Sequence, residues 1–141
     1  MKTWMFYALL STFFAGLTSV LAKFGLREMP VNIGIAIRTS MVFAIVWINY
    51  LLFSEEKGTS QPELKHYLFL LVSGVTTAFS WIFYYKAIKV GDVSMVASID
   101  KASIVITIIL SVVVLKEPLS PKLVIGGCLI LAGLLVLTLG K

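Results

Sequence analysis

Residues 123–139 read LVIGGCLILAGLLVLTL, an apolar run without one charged side chain. A helix needs roughly 20 predominantly apolar residues to cross a bilayer, and this run, opened by Pro121 and Lys122, meets that length. In water such a helix would be hydrophobic all round, with no polar face to turn outward. It belongs in lipid. Working back toward the N-terminus, Asp92–Leu115, His66–Lys89, Val31–Phe53 and Trp4–Leu26 have the same character. Together with Pro121–Leu139 they occupy most of the 141 residues and leave only short connectors. The reading is an all-α membrane protein, a five-transmembrane-helix bundle forming one domain over residues 1–141.

Composition points the same way. Hydrophobic residues make up 59% of the chain and the mean hydropathy is +0.99, against roughly 45–50% apolar usage in soluble domains. A formal net charge of +5 would suggest nucleic acid in a soluble protein. Here the basic residues sit mostly at helix ends, where anionic lipid headgroups are the simpler partner, so no nucleic-acid binding is expected. The lone Cys128 can form neither an internal disulfide nor a Cys-rich metal site and reads as a packing residue. With His66 the only histidine, no metal-ligand spacing and no intramembrane Ser/His/Asp set can be assembled. Neither an enzyme nor a metal or cofactor site is expected. Lys2 and the Val20-Leu21-Ala22 stretch imitate a cleaved signal peptide. The intervening run exceeds the ~7–15 residues of a signal h-region, which favours a retained first helix.

The connectors carry recognisable punctuation. Pro30 follows Glu28-Met29 and disfavours helix in the residue before it. Ser54–Lys65 (SEEKGTSQPELK) is a polar surface loop in which Ser60 and Glu63 have capping-box spacing. Val90-Gly91-Asp92 predicts a tight turn with Asp92 capping the fourth helix. Ser120 is placed to cap the fifth, with Pro121 at its first position. Lys2, Lys57, Lys65, Lys116 and Lys122 collect on the N-terminal side, against Lys23, Arg27, Lys86, Lys89 and Lys141 on the other, with Arg38 and Lys101 deeper on that second side. Orientation follows Lys/Arg asymmetry, and so near a balance leaves two readings: the N-terminus outside by a small margin, or insertion both ways with antiparallel self-pairing.

Charges at membrane depth are costly and mark pathways or pairs. At 1.5 Å per residue, Arg38 falls ~10 Å inside the second helix and Asp100 ~12 Å inside the fourth, both from the same face. Trp81 falls ~12 Å from that face as well. Thr12, Gly16, Ser19 and Lys23 line one stripe of the first helix, Asp100, Ser103, Thr107 and Ser111 one of the fourth, and Gly74, Ala78, Trp81 and Tyr85 one of the third. The expected solute path therefore comprises Lys23, Arg38, Trp81, Tyr85, Asp100 and Lys101. Blander readings stand beside it: Arg38 and Asp100 as a bundle-locking salt bridge, Lys23 and Lys86 snorkelling to headgroups, and hydroxyls bonding their own helices. Lys101 adjoins Asp100, but neighbouring helical residues point different ways, so the two need not pair. Gly126, Gly133 and Gly140 recur every seventh residue on the fifth helix and predict a smooth ridge for close packing, within a subunit or between two.

Trp81–Ser94 (WIFYYKAIKVGDVS), Leu115–Ser120 (LKEPLS), Gly126–Gly133 (GGCLILAG) and Phe14–Lys23 (FAGLTSVLAK) resemble, in order and spacing, the EamA domain of the drug/metabolite transporter superfamily, in particular its small five-helix members. Glu117 matches the acidic residue of the connector before that family's last helix. Gly126–Gly133 is also similar to the terminal helix through which small multidrug resistance proteins dimerise. Unlike those proteins, the first helix here has no acidic residue, and Ile99-Asp100-Lys101-Ala102 stands where many EamA repeats carry proline; Asp100 is the acidic candidate within a helix. The resemblance implies a multi-pass protein of the cell (inner) membrane of a prokaryote, moving a small organic solute by alternating access. It implies a homodimer too, antiparallel if the two copies are to recreate the inverted repeats of longer relatives. The rival readings are an accessory membrane subunit and a component of a lipid-linked-sugar flippase.

Overall fold

In a computed structural model that describes residues 3–53 and 63–139, every regular element is a helix. They are α1 (Thr3–Gly25), α2 (Val31–Phe53), α3 (Leu64–Val90), α4 (Val93–Asp100), α5 (Ser103–Val113) and α6 (Pro121–Leu139). Taken with α4 and α5 as one span, Val93–Val113, five helices of 23, 23, 27, 21 and 19 residues are long and apolar enough to cross a membrane. Their side chains face outward in large part: among the described residues the buried hydrophobic ones are Leu26, Tyr85 and Ile88. Such an inverted distribution suits lipid, whose tails are as apolar as leucine and give no drive to hide apolar surface.

The α2 and α6 bounds coincide with the sequence reading, and α1 and α3 differ by one or two residues at their ends. Proline explains the sharp starts. Gly34 N–H donates to Pro30 O at 3.1 Å. Ser120 Oγ accepts from Leu123 N–H at 3.2 Å, the cap expected of it. Asp92 occupies the N-cap of α4 with an extended backbone (φ −70°, ψ 130°), but its side chain makes no capping bond. Of the expected Ser60–Glu63 capping box, Ser60 lies outside the described residues, as do Gly140, Lys2, Lys57 and Lys141; Glu63 pairs with Lys65 at 2.7 Å.

The fourth span corrects the expectation of one continuous helix over Asp92–Leu115. It is interrupted at Lys101 and Ala102, whose ψ angles of −12° and −20° belong to a 3₁₀ turn rather than an α-helix. Lys101 N–H donates to Ser98 O at 3.0 Å and Ala102 N–H to Ile99 O at 2.9 Å, with two more three-residue bonds following at Ile104 and Val105. Neither proline nor glycine stands at the break, so covalent geometry does not impose it. It falls on the only two adjacent charges in the span.

The chain divides into two units, a central one (Leu21–Lys89) and a terminal one (Met1–Val20 with Val90–Lys141). In the terminal unit α4 packs on α6, and Gly127 is buried against α5, where an added Cβ would lie 3.2 Å from Ile108 Cδ1. Lys116, just past α5, has a φ of 56°, and Glu117 N–H reaches back to Ser111 O at 3.2 Å, closing the last turn.

Candidate functional site

All three buried hydrophobic residues belong to the central unit, where the end of α1, the start of α2 and the end of α3 converge. Leu26 fills the space that Gly34 leaves: a Cβ on Gly34 would lie 2.6 Å from Leu26 Cδ2. A helix C-terminus exposes carbonyls with no partner in the helix, and a bilayer interior offers little water to satisfy them. Here two lysines exchange that service. Lys23 Nζ, near the end of α1, donates to Ile88 O at 2.8 Å and Lys89 O at 3.4 Å, at the end of α3. Lys89 Nζ returns the contact to Leu26 O, to Arg27 O at 3.0 Å and to Met29 O at 3.2 Å. Each cation also lies at the negative end of the other helix's dipole.

One turn deeper on α2, the Arg38 guanidinium lies over the Trp81 ring at 4.1 Å from its centroid and 5.5 Å from that of Tyr85. A desolvated cation over an indole face is held by the ring quadrupole, worth about 2 kcal/mol. That contact leaves hydrogen-bonding capacity unused: Arg38 Nη1 is buried with no hydrogen-bond partner, and among the described residues no other buried side-chain nitrogen or oxygen is in that condition.

Trp81 also walls a groove of about 740 Å³ between α2 and α3. On α2 its lining residues Asn32, Ile35, Ala36 and Thr39 are spaced by three, one and three. On α3, Leu70, Ser73, Gly74, Thr77, Ala78 and Trp81 follow the same rhythm, so each set occupies one helical face. Gly74 keeps the groove open, since nothing lies within 4 Å of where its Cβ would be. The Thr77 hydroxyl donates to Ser73 O at 2.8 Å, which leaves its oxygen free to accept. Among the described residues, no Asp or Glu lines the groove.

Of the six expected path residues the structure thus brings Arg38, Trp81 and Tyr85 together, with Lys23 nearby in the same unit at the α1–α3 exchange. Asp100 and Lys101 belong to the terminal unit, where Lys101 Nζ meets Asp100 Oδ2 at 3.5 Å although the two are chain neighbours. Most of the hydroxyl stripes bond their own helices: Thr12 to Ala8 O, Ser19 to Ala15 O, Thr107 to Ser103 O and Ser111 to Ile108 O. Gly126 and Gly133 have nothing within 4 Å of where a Cβ would be, so their ridge is not filled by the described residues. Sequence reasoning passed over the α2 face of the groove. The signal was present as the three-one-three spacing of Asn32, Ile35, Ala36 and Thr39, but uncharged polar residues do not stand out in an apolar helix.

A profile described as the EamA-like transporter family matches residues 2–139. A relative from Sinorhizobium sp, named "Uncharacterized transporter in cobO 3'region", is 36% identical over 136 residues, covering 96% of this chain and 96% of the relative. No solved structure matches.

Proposed function

The chain belongs to the EamA-like transporter family, and from that premise we propose that this integral, multi-pass membrane protein moves a small organic solute by alternating access as a homodimer. The observation that carries the solute site is Arg38: an intramembrane cation, fixed over Trp81, with a buried donor unanswered. An ionisable group at membrane depth is a functional site by default, and this one stacks on Trp81, which walls a groove large enough for a metabolite. Asp100, an acidic side chain inside a span and beside the α4–α5 break, is the proposed carrier of a coupling proton. Interrupted spans are where transporters of other folds place their coupling ions. An odd number of spans inverts a second copy relative to the first only if that copy inserts the other way. The open ridge at Gly126 and Gly133 supports contact between copies.

Reconstitution into liposomes tests this reading. The wild type takes up at least one member of a panel of organic anions, amino acids and amines, and Arg38→Ala lowers that uptake at least tenfold, about 1.4 kcal/mol or more of lost transition-state stabilisation. Transport of no member, or full transport by Arg38→Ala, defeats it. Asp100→Asn transports downhill but no longer responds to an imposed pH gradient; an unchanged response removes Asp100 from coupling.

A further inference from the structure

We propose that the corner where the end of α1, the α1–α2 connector and the end of α3 meet seats the headgroup phosphate of an anionic phospholipid, with Arg27 as its contact and Lys89 as the residue that positions Arg27. This site does not depend on the solute reading. Four basic side chains gather at the corner: Lys23 in the last turn of α1, Arg27 just beyond it, and Lys86 and Lys89 near the end of α3. The exchange between lysines and backbone carbonyls draws the two helix ends together. One acidic side chain, Glu28, stands in the connector. Neither it nor Arg27, Lys86 or Lys89 forms an ion pair with a described residue. At the other end of α3, by contrast, Lys65 is neutralised by Glu63 at 2.7 Å.

The ammonium N–H groups of Lys89 go to the carbonyls of Leu26, Arg27 and Met29. Carbonyls satisfy the donors but carry no net charge, so the positive charge of the lysine is left to an outside anion. The same bonds pin the backbone at Arg27 and on either side of it. From that fixed turn the exposed Arg27 side chain lays its guanidinium over the Phe24 ring, 4.8 Å from the centroid, a contact that restrains it further. Among the described residues no acceptor meets its N–H groups. A guanidinium fork matches a phosphate through two parallel hydrogen bonds. Lys86, exposed and nearly one turn back from Lys89 on α3, adds a point charge.

What commits the site to a lipid is the surface beneath it. Phe24 and Leu21 share one face of α1, both 59% exposed, and they lead from Arg27 toward the interior of the span. A phosphate on Arg27 therefore lays its acyl chains along an apolar strip. The excess of positive charge selects among headgroups. Basic clusters at the membrane boundary attract anionic lipids, whereas choline and ethanolamine headgroups bring a cation of their own to a corner already rich in them. Glu28 opposes the anion, so its removal is a second test.

Native mass spectrometry of the delipidated full chain in detergent, offered equal amounts of dioleoylphosphatidylglycerol and dioleoylphosphatidylcholine, counts which lipid is retained. The wild type is expected to keep phosphatidylglycerol at least tenfold more often than phosphatidylcholine. Arg27→Gln removes that preference, Arg27→Lys keeps part of it, and Glu28→Gln raises it. Lys89→Met lowers it and Lys89→Arg restores it, as a positioning role requires, while Lys122→Gln on α6 leaves it unchanged. Equal retention of the two lipids by the wild type overturns the inference without reliance on any variant. An Arg27→Gln protein with the wild-type preference overturns it too. Inorganic phosphate separates the two sources of the anion: if it displaces phosphatidylglycerol at matched concentration, the apolar strip plays no part and the lipid assignment falls.

Discussion

The central and terminal units handle their charges in opposite ways. In the central unit Lys23 and Lys89 are tied to backbone carbonyls of each other's helix, and Arg38 is pressed against an indole. Each contact joins segments far apart in sequence. In the terminal unit the charges within the fourth span, Asp100 and Lys101, find each other next door in the chain at 3.5 Å, with side chains 39% and 63% exposed. That pair joins nothing to anything, and the helix is broken there. Cations in the first arrangement hold elements in register; in the second the cation meets its own chain neighbour. The central unit is built as a brace, the terminal unit around a break.

Removing the brace should give the largest effect on stability. Lys89→Met leaves the Leu26, Arg27 and Met29 carbonyls without their donor. Hydrogen bonds to charged groups contribute about 1.5–3 kcal/mol, and a loss of about 2 kcal/mol is expected, read as a fall in the midpoint of thermal unfolding in detergent. Lys23→Met should cost about 1 kcal/mol, since its second contact is long at 3.4 Å. Asp100→Asn should cost less than 1 kcal/mol, because half-exposed ion pairs contribute little. The order is the test: if Asp100→Asn destabilises as much as Lys89→Met, the contrast between the units collapses.

The same contrast explains what could be read in advance. Span limits at Val31 and Pro121 were legible because proline marks them locally, and the meeting of Arg38 with Trp81 because helical rise converts sequence position into depth. The lysine exchange was not, since Lys23 and Lys89 read equally well as headgroup anchors until the ends of α1 and α3 are placed together. The break at Lys101 carries no proline or glycine, and the adjacent charges there read as path residues rather than as an interruption. Tyr85 was placed on the path by its spacing from Trp81, and it contributes to the Arg38 side of that ring rather than to the groove.

The finest distinction lies between two adjacent glycines of α6. Glycine inside a helix is less favourable than alanine by roughly 0.5–1 kcal/mol, so Gly→Ala stabilises wherever the methyl group has room. At Gly126 nothing lies within 4 Å of the new Cβ, whereas at Gly127 it would meet Ile108 Cδ1 at 3.2 Å, close enough that Ile108 must shift. Gly126→Ala should therefore raise monomer stability by roughly 0.5 kcal/mol, with Gly127→Ala near neutral as contact strain offsets propensity. In the assembled protein the signs part further: if Gly126 and Gly133 seat a second copy, Gly126→Ala weakens self-association, measured by dilution in size-exclusion chromatography, while Gly127→Ala leaves it alone. A Gly126→Ala protein that is both more stable and equally associated would show that the ridge faces lipid, and the homodimer would then need another surface.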